Sequence, residues 1–110
     1  MASDKGYLDF ILEQLSGVPG ASYRAMMGEY ILYVDGKVVG GIYDNRLLVK
    51  PTPSARALMP DAPRELPYPG AKELLLVEAV DNRAFLTELF AALAQDAPAP
   101  KRKKSEVLKT

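Results

Sequence analysis

Apolar residues near both ends of the chain recur at the spacing of an α-helix. At the start they fall on one helical face, and between residues 85 and 93 a longer stripe does the same. Ser3 or Asp4 can cap the first helix and Asp81 the last, because their side-chain oxygens accept hydrogen bonds from free backbone N–H groups. The two stripes are Leu8, Ile11, Leu12 and Leu15, and Phe85, Leu86, Leu89, Phe90 and Leu93.

Between Ala21 and Lys50 the pattern shortens to a period of two, which is the period of a β-strand. Asp35-Gly36 and Asp44-Asn45 interrupt it, and such pairs favour two-residue hairpin turns because both positions adopt positive φ. The pattern therefore predicts a meander of antiparallel strands. Its members are residues 22–26, 30–34, 37–43 and 46–50.

The next part of the chain mixes helix, loop and strand signals. Thr52 followed by Pro53 is typical of a helix start and predicts a short helix through Leu58. Residues 60–70 contain four prolines and predict an extended surface loop. The apolar run at residues 74–77 is short enough to be a buried strand.

Helices at the two ends can cover the predicted sheet, since a sheet buries its apolar face against another layer. We therefore expect an α+β fold in the order helix, strands, short helix, strand, helix, with a hairpin-rich antiparallel sheet of four to five strands. A chain of 110 residues with 48% hydrophobic and 25% charged residues fits one such core. We expect one domain over residues 1–95 and a basic, disordered tail over residues 96–110.

Residue types that the chain lacks restrict its chemistry. It contains no cysteine and no histidine, which excludes disulfides, thiol nucleophiles and proton transfer by histidine. We expect a protein that is not an enzyme and that holds no cofactor and no metal. No apolar run approaches the roughly 20 residues that cross a bilayer, so we expect a cytoplasmic protein without a membrane partner.

The net charge of zero conceals an uneven distribution. Five basic residues against one acidic residue give the last ten positions a charge of +4, which leaves −4 for the first hundred. A basic run can bind nucleic-acid phosphates weakly, although a solubilising disordered end has the same composition. The candidate nucleic-acid contacts are Lys101, Arg102, Lys103 and Lys104.

Two segments resemble the N-terminal domain of the TfoX/Sxy family. Residues 24–37 read RAMMGEYILYVDGK and residues 43–50 read YDNRLLVK. The family patterns are Arg-x-Met-Phe-Gly-Gly, Tyr-x-Leu-Tyr-x-Asp-Gly-Lys and Asp-Asp-Arg-Leu-Tyr-x-Lys. Met27 stands in place of the phenylalanine, and Glu29 stands in place of the second glycine.

The resemblance implies an α+β fold and a role in regulating competence genes, in which family members act as coactivators beside a DNA-binding regulator. It implies no cofactor and no catalysis. We expect a stand-alone N-terminal domain, without the C-terminal helical domain of the full-length regulators.

Charged residues in the matched segments outline a candidate binding groove. Arg24, Glu29 and Lys50 lie near predicted strand ends, and Gly28 beside them permits a close approach of a ligand to the backbone. The alternative for the charged residues is a cross-strand ion pair or separate solvated charges. The alternative for Gly28 is a bend in the first hairpin.

Other residues also admit both a functional and a structural interpretation. Gly40-Gly41 lacks the following helix and Lys-Ser or Lys-Thr of a phosphate-binding loop, so we expect a helix to pack closely across it. Met26 and Met27 suit either an adaptable partner surface or gap filling in the core. Four tyrosines suit either a platform for stacking single-stranded nucleic acid or packing in the core and at the sheet edge. Four carboxylates suit either acid–base chemistry or metal binding, and the alternative for two of them is a role in hairpin turns. These are Tyr30, Tyr33, Tyr43 and Tyr68, and Asp35, Asp44, Glu73 and Glu78.

The leading hypothesis is a small regulatory interaction module that binds a protein partner, such as a transcription regulator, or forms a homodimer. The alternative is weak nucleic-acid binding through the basic tail. A small-ligand or enzymatic groove near Arg24 and Glu29 is a third hypothesis with no motif behind it.

Overall fold

A computed structural model describes residues 3–97 as three helices and one six-stranded antiparallel sheet. The strands lie in the order β1-β2-β3-β4-β6-β5. This confirms the predicted α+β fold, with one strand more than the upper expected number. The elements are α1 (Lys5–Gln14), β1 (Ala21–Met26), β2 (Glu29–Val34), β3 (Lys37–Tyr43), β4 (Arg46–Val49), α2 (Pro53–Leu58), β5 (Arg64–Glu65), β6 (Leu74–Leu76) and α3 (Arg83–Asp96).

The core lies between the sheet and the two terminal helices. Both predicted helical stripes face it, although Leu12 and Phe85 are only half-buried. The strand register places the apolar residues of successive strands on the same face, because cross-strand partners share a face. The most deeply buried members are Leu8, Ile11, Leu32, Val39, Ile42, Leu47, Val49, Ala55, Leu86, Leu89, Phe90 and Leu93.

Three two-residue turns with positive φ at both positions connect β1 to β4. Asp35-Gly36 and Asp44-Asn45 are two of them, as predicted, with φ of 53° and 79° and of 55° and 56°. The third is Met27-Gly28, with φ of 52° and 86°. Gly28 therefore lies in the bend of the first hairpin, as its structural interpretation requires.

One strand lies inside the segment that we expected to be an extended loop. The strand β5 pairs with β6 through Arg64↔Leu75 and Glu65↔Leu74, and it forms one edge of the sheet. A strand of two residues has no measurable period, so its position depends on the pairing partner rather than on its own sequence.

The helix starts agree with the predictions in part. The Thr52 side chain accepts a hydrogen bond from the Ala55 N–H (3.2 Å) and caps α2 as expected. The last helix starts one residue later than expected, because the cap is Asn82, whose side-chain oxygen accepts from the Phe85 N–H (3.1 Å). Asp4 occupies the cap position of α1 without a capping hydrogen bond from its side chain. No helix within residues 3–97 has the length and apolar composition needed to cross a bilayer.

The glycine pair in β3 is required by the neighbouring strands and not, as we expected, by a helix. A Cβ atom at Gly40 would collide with the Leu48 carbonyl oxygen and lie 2.9 Å from the Val49 Cα in β4. A Cβ atom at Gly41 would lie 2.6 Å from the Tyr43 ring and 2.7 Å from the Tyr30 carbonyl oxygen. The strand approaches its neighbours too closely at both positions for any side chain.

Candidate binding groove at one end of the sheet

Two of the hairpin turns lie at the same end of the sheet. The register pairs Met26 with Glu29, Tyr30 with Ile42 and Tyr43 with Arg46, so the Met27-Gly28 and Asp44-Asn45 turns project together. Residues 66–69, which follow β5, lie beside them. Together they enclose an open groove of about 950 Å³, the end groove. It is lined by Met26, Met27, Glu29, Tyr43, Asp44, Arg46, Leu66, Pro67, Tyr68 and Pro69.

The walls of the end groove are apolar and exposed. Met27 is 95% exposed and Tyr68 55%, and Leu66 and Met26 are also exposed. Met27 additionally adopts φ of 52°, a conformation that costs a residue with a Cβ atom free energy. Neither burial nor turn formation explains a methionine at this position, so the core interpretation of Met27 is wrong.

The floor of the end groove is Tyr43, which is only 8% exposed. Its ring lies over Gly41 and has its centroid 6.3 Å from that of Tyr68. Burial raises the pKa of the Tyr43 phenol above its usual value, and the nearby Tyr68 and Glu29 raise it further. The floor is therefore neutral at physiological pH.

Arg46 holds the segment 66–69 against the sheet. Its guanidinium donates to Glu65 Oε1 (2.6 Å), to the Leu66 carbonyl oxygen (3.2 Å) and to the Tyr43 carbonyl oxygen (3.1 Å). The planar guanidinium suits such a set of acceptors because its donors are fixed relative to one another. One wall of the groove is thus anchored to its floor.

Glu29 connects the N-terminal segment to both turns. Its carboxylate accepts hydrogen bonds from Ser3 Oγ (2.6 Å) and from the Asp44 N–H (3.2 Å to each oxygen). Ser3 Oγ in turn accepts from the Asn45 N–H (3.0 Å), and Ser3 is buried. Glu29 therefore stabilises the end of the sheet.

The four predicted groove residues do not lie around one concavity. Glu29 lines the end groove and Gly28 lies in the turn beside it, whereas Lys50 lines a second concavity of about 560 Å³ on the other side of Tyr43 and Tyr68. Arg24 lies in β1 opposite Ile31, is exposed, and lines neither. Ligand binding by any of them stays a prediction.

The four tyrosines do not form one platform. Tyr43 packs with Tyr68, whereas Tyr30 makes an edge-to-face contact with Tyr23 at 5.9 Å. Tyr30 pairs with Ile42, the neighbour of Tyr43 in β3, so the rings of Tyr30 and Tyr43 lie on opposite faces of the sheet.

The four candidate carboxylates also lie apart. Asp35 and Asp44 occupy turns, and Glu73 and Glu78 are exposed. Within residues 3–97 no group of three or more histidine, cysteine, aspartate or glutamate residues could hold a metal ion. The candidate nucleic-acid contacts at residues 101–104 lie outside the described residues.

Leu66, Pro67 and Pro69 are lining residues that the sequence did not indicate, and Tyr68 was indicated only as a member of a stacking platform. Their local signal is apolar residues placed between prolines in a segment that is otherwise a loop. An extended segment with exposed apolar side chains is typical of a contact surface, but only the contact with Arg46 shows where this one lies.

Comparison with known proteins identifies two similarities and no structural match. The family model of the TfoX N-terminal domain matches residues 13–96. An uncharacterised 12.7 kDa protein in the trpE 5′ region of Spirochaeta aurantia is 37% identical over 107 residues, which cover 96% of this chain and 93% of that protein. No solved structure matches the chain significantly.

Proposed function

Since this chain belongs to the TfoX N-terminal domain family, we propose that it is a small, non-enzymatic interaction module that binds a protein partner in gene regulation. The observation that carries this proposal is the end groove, with a methionine that is 95% exposed on one wall and a buried tyrosine as its floor. Exposed apolar side chains around a concavity are typical of protein-binding sites.

The chemistry of the groove favours an apolar anchor on the partner. Met26, Met27 and Leu66 are flexible aliphatic side chains that can adapt to an inserted leucine, methionine or aromatic ring. The proline-flanked Tyr68 is constrained by its neighbours, so it loses little conformational freedom on binding. The partner segment is therefore apolar at its centre and makes polar contacts only at the rim.

Two of the three charged side chains that line the groove, Glu29 and Arg46, already make hydrogen bonds within the fold, which supports a non-enzymatic role. The Glu29 carboxylate accepts hydrogen bonds from Ser3 and Asp44, and Arg46 is paired with Glu65 and two backbone carbonyls. A general base or nucleophile requires a group that can reach a substrate, and these groups serve the fold instead. The gene-regulatory role is the one that membership of this family suggests.

The Met27→Asn variant tests the proposal. Asparagine adopts positive φ readily, so the variant keeps the turn and removes only the apolar side chain. Affinity capture from a native extract, with quantitative mass spectrometry, measures which proteins are retained by Met27→Asn and by the wild-type chain. The control variant is Phe10→Gln, which removes an exposed ring from α1 outside the groove.

The expected result is a protein that is retained by the wild-type chain and by Phe10→Gln and is lost with Met27→Asn. The purified partner is then titrated against the wild-type chain, and the methyl signals of Met26 and Met27 are expected to shift in NMR spectra. Equal retention of every protein by Met27→Asn and the wild-type chain would contradict the proposal.

A further inference from the structure

Strand β1 is an edge of the sheet that no other element within residues 3–97 covers. It is the first strand in the sheet order, and residues 22–26 are all exposed. It pairs with β2 residue for residue from Ala21↔Val34 to Met26↔Glu29, without a bulge, and it contains no proline and one charged residue, Arg24. Protein edges are normally shielded by bulges, prolines or several charges, because free backbone groups otherwise pair with another strand.

The register determines which backbone groups of β1 are free. The Asp35 N–H donates to the Gly20 carbonyl oxygen (3.0 Å), so the residues of β1 at even positions form the hydrogen bonds to β2. The N–H and C=O groups of Tyr23 and Ala25 consequently point away from the sheet. They present two donors and two acceptors at the spacing of an antiparallel ladder.

We infer that β1 pairs with β1 of a second copy of this chain, in an antiparallel arrangement centred on Tyr23. In an antiparallel pair of two identical strands, the numbers of opposite residues have a constant sum. Opposite residues point to the same side of the sheet, and residues on one side of a strand are all even or all odd. The sum is therefore an even number when a two-fold axis perpendicular to the sheet relates the strands. Centring on Tyr23 lets the two Tyr23 residues exchange both backbone hydrogen bonds. It places Arg24 opposite Ser22 and Ala25 opposite Ala21.

Charge selects this register over its neighbour. Centring the pair on Arg24 would place two guanidinium side chains directly opposite each other at a position without hydrogen bonds, where Cα atoms are about 4.5 Å apart. Like charges in that arrangement are destabilising. Centring on Tyr23 gives each Arg24 a neutral, polar neighbour.

Tyr23 favours a second copy over an unrelated strand. It is 42% exposed and already makes an edge-to-face contact with Tyr30. Each copy has one such Tyr23–Tyr30 contact, and pairing through Tyr23 brings the contacts of the two copies together into a continuous cluster of four rings. Aromatic cross-strand pairs stabilise antiparallel sheets, and here the chain itself supplies both members.

The pairing is expected to be weak. β1 contributes six residues per copy, against roughly 20–30 per side in an interface of standard size. Sedimentation velocity is therefore carried out at protein concentrations from about 10 μM to about 1 mM, where two copies with an interface smaller than the standard one are expected to associate. The expected result is an increase of the weight-average mass with concentration.

Single-cysteine variants test the register, since the chain has no cysteine of its own. Ala21→Cys and Ala25→Cys leave Tyr23 and Arg24 in place. When the two variants are mixed, the thiol of one faces the thiol of the other at a hydrogen-bonded pair, where Cα atoms are about 5.5 Å apart, within the range of a disulfide. Under mild oxidation the mixture is expected to form the mixed covalent dimer faster than either variant alone forms a homodimer. Asp61→Cys, in an exposed turn away from β1, measures random collision.

Ala25→Pro supplies a second test. Proline removes one outward-facing N–H and leaves the hydrogen bonds to β2 in place, so the variant is expected to fold and to stay monomeric up to about 1 mM. Met27→Asn is expected to self-associate like the wild-type chain, which separates this inference from the proposed function. Dimerisation of Ala25→Pro, or crosslinking of Ala25→Cys alone or of Asp61→Cys as fast as that of the mixture, would overturn the inference.

Discussion

Met27 combines an unfavourable backbone conformation with an unburied side chain. Its φ of 52° lies in the left-handed region, where asparagine and glycine are the preferred residues. We predict that Met27→Asn raises the free energy of unfolding by about 0.5–1 kcal/mol, because the cost of the left-handed conformation falls and no buried contact is lost. Urea denaturation measures the change. A loss of stability would show that the methionine side chain packs against the fold after all.

Gly40 and Gly6 are expected to respond oppositely to substitution. At Gly40 a Cβ atom meets the β4 backbone, whereas at Gly6 in α1 no atom lies within 4 Å. We predict that Gly40→Ala lowers the free energy of unfolding by about 1–3 kcal/mol through overpacking. Gly6→Ala is the matched control and is expected to raise it by up to about 0.5–1 kcal/mol. Thermal unfolding of both variants checks the pair, and equal effects would contradict it.

At the scale of the elements, α3 stabilises the start of α2. Asp96 Oδ2 accepts a hydrogen bond from the Ser54 N–H (2.8 Å), in the first turn of α2. This backbone N–H, followed by the Ser54 side chain, holds the pKa of Asp96 below its ordinary value of 3.8. The ionised carboxylate is therefore the form that joins the two helices.

This arrangement gives a pH dependence with a definite sign. Because the folded pKa of Asp96 is lowered, its contribution to stability is fully present above pH 3.8 and is lost as the pH falls through the folded pKa. We predict that the wild-type chain loses its advantage over Asp96→Asn as the pH falls from about 6 to about 2.5. Urea denaturation across this range measures it. In a Ser54→Pro background, which lacks both the N–H donor and the hydroxyl, the dependence on Asp96 should be smaller, because only the Thr52 side chain still lowers the pKa.

Sequence patterns predicted the elements whose signals are local. The hairpins at Asp35-Gly36 and Asp44-Asn45 follow from the φ preferences of the turn residues themselves, and the two helical stripes follow from burial. β5 and the groove wall at residues 66–69 were not predicted, because they depend on β6 and on Arg46, ten to twenty residues distant. The glycine pair was misinterpreted because a sequence does not show which neighbour approaches a strand.

At the scale of the whole molecule, negative and positive charge are separated along the chain. The described residues 3–97 carry −4 and the last ten residues carry +4. We predict that the full chain binds a short DNA duplex weakly at low salt and that binding falls steeply between about 50 and 200 mM salt. Truncation after Ala97 is expected to abolish it, as measured by NMR titration or fluorescence anisotropy. Equal binding by the truncated chain would place the contacts in the folded domain.

The hydrogen bonds of Ser3 bear on the order in which the chain is synthesised. Ser3 is synthesised before its side-chain partners, which follow 26 and 42 residues later. At a synthesis rate of roughly 5–20 residues per second, the Ser3 hydroxyl must wait about 2–8 s for Asn45. Ser3 is therefore fixed to the sheet only after β1, β2 and β3 have been synthesised, so these three strands can pair before the segment that precedes α1 is bound to them.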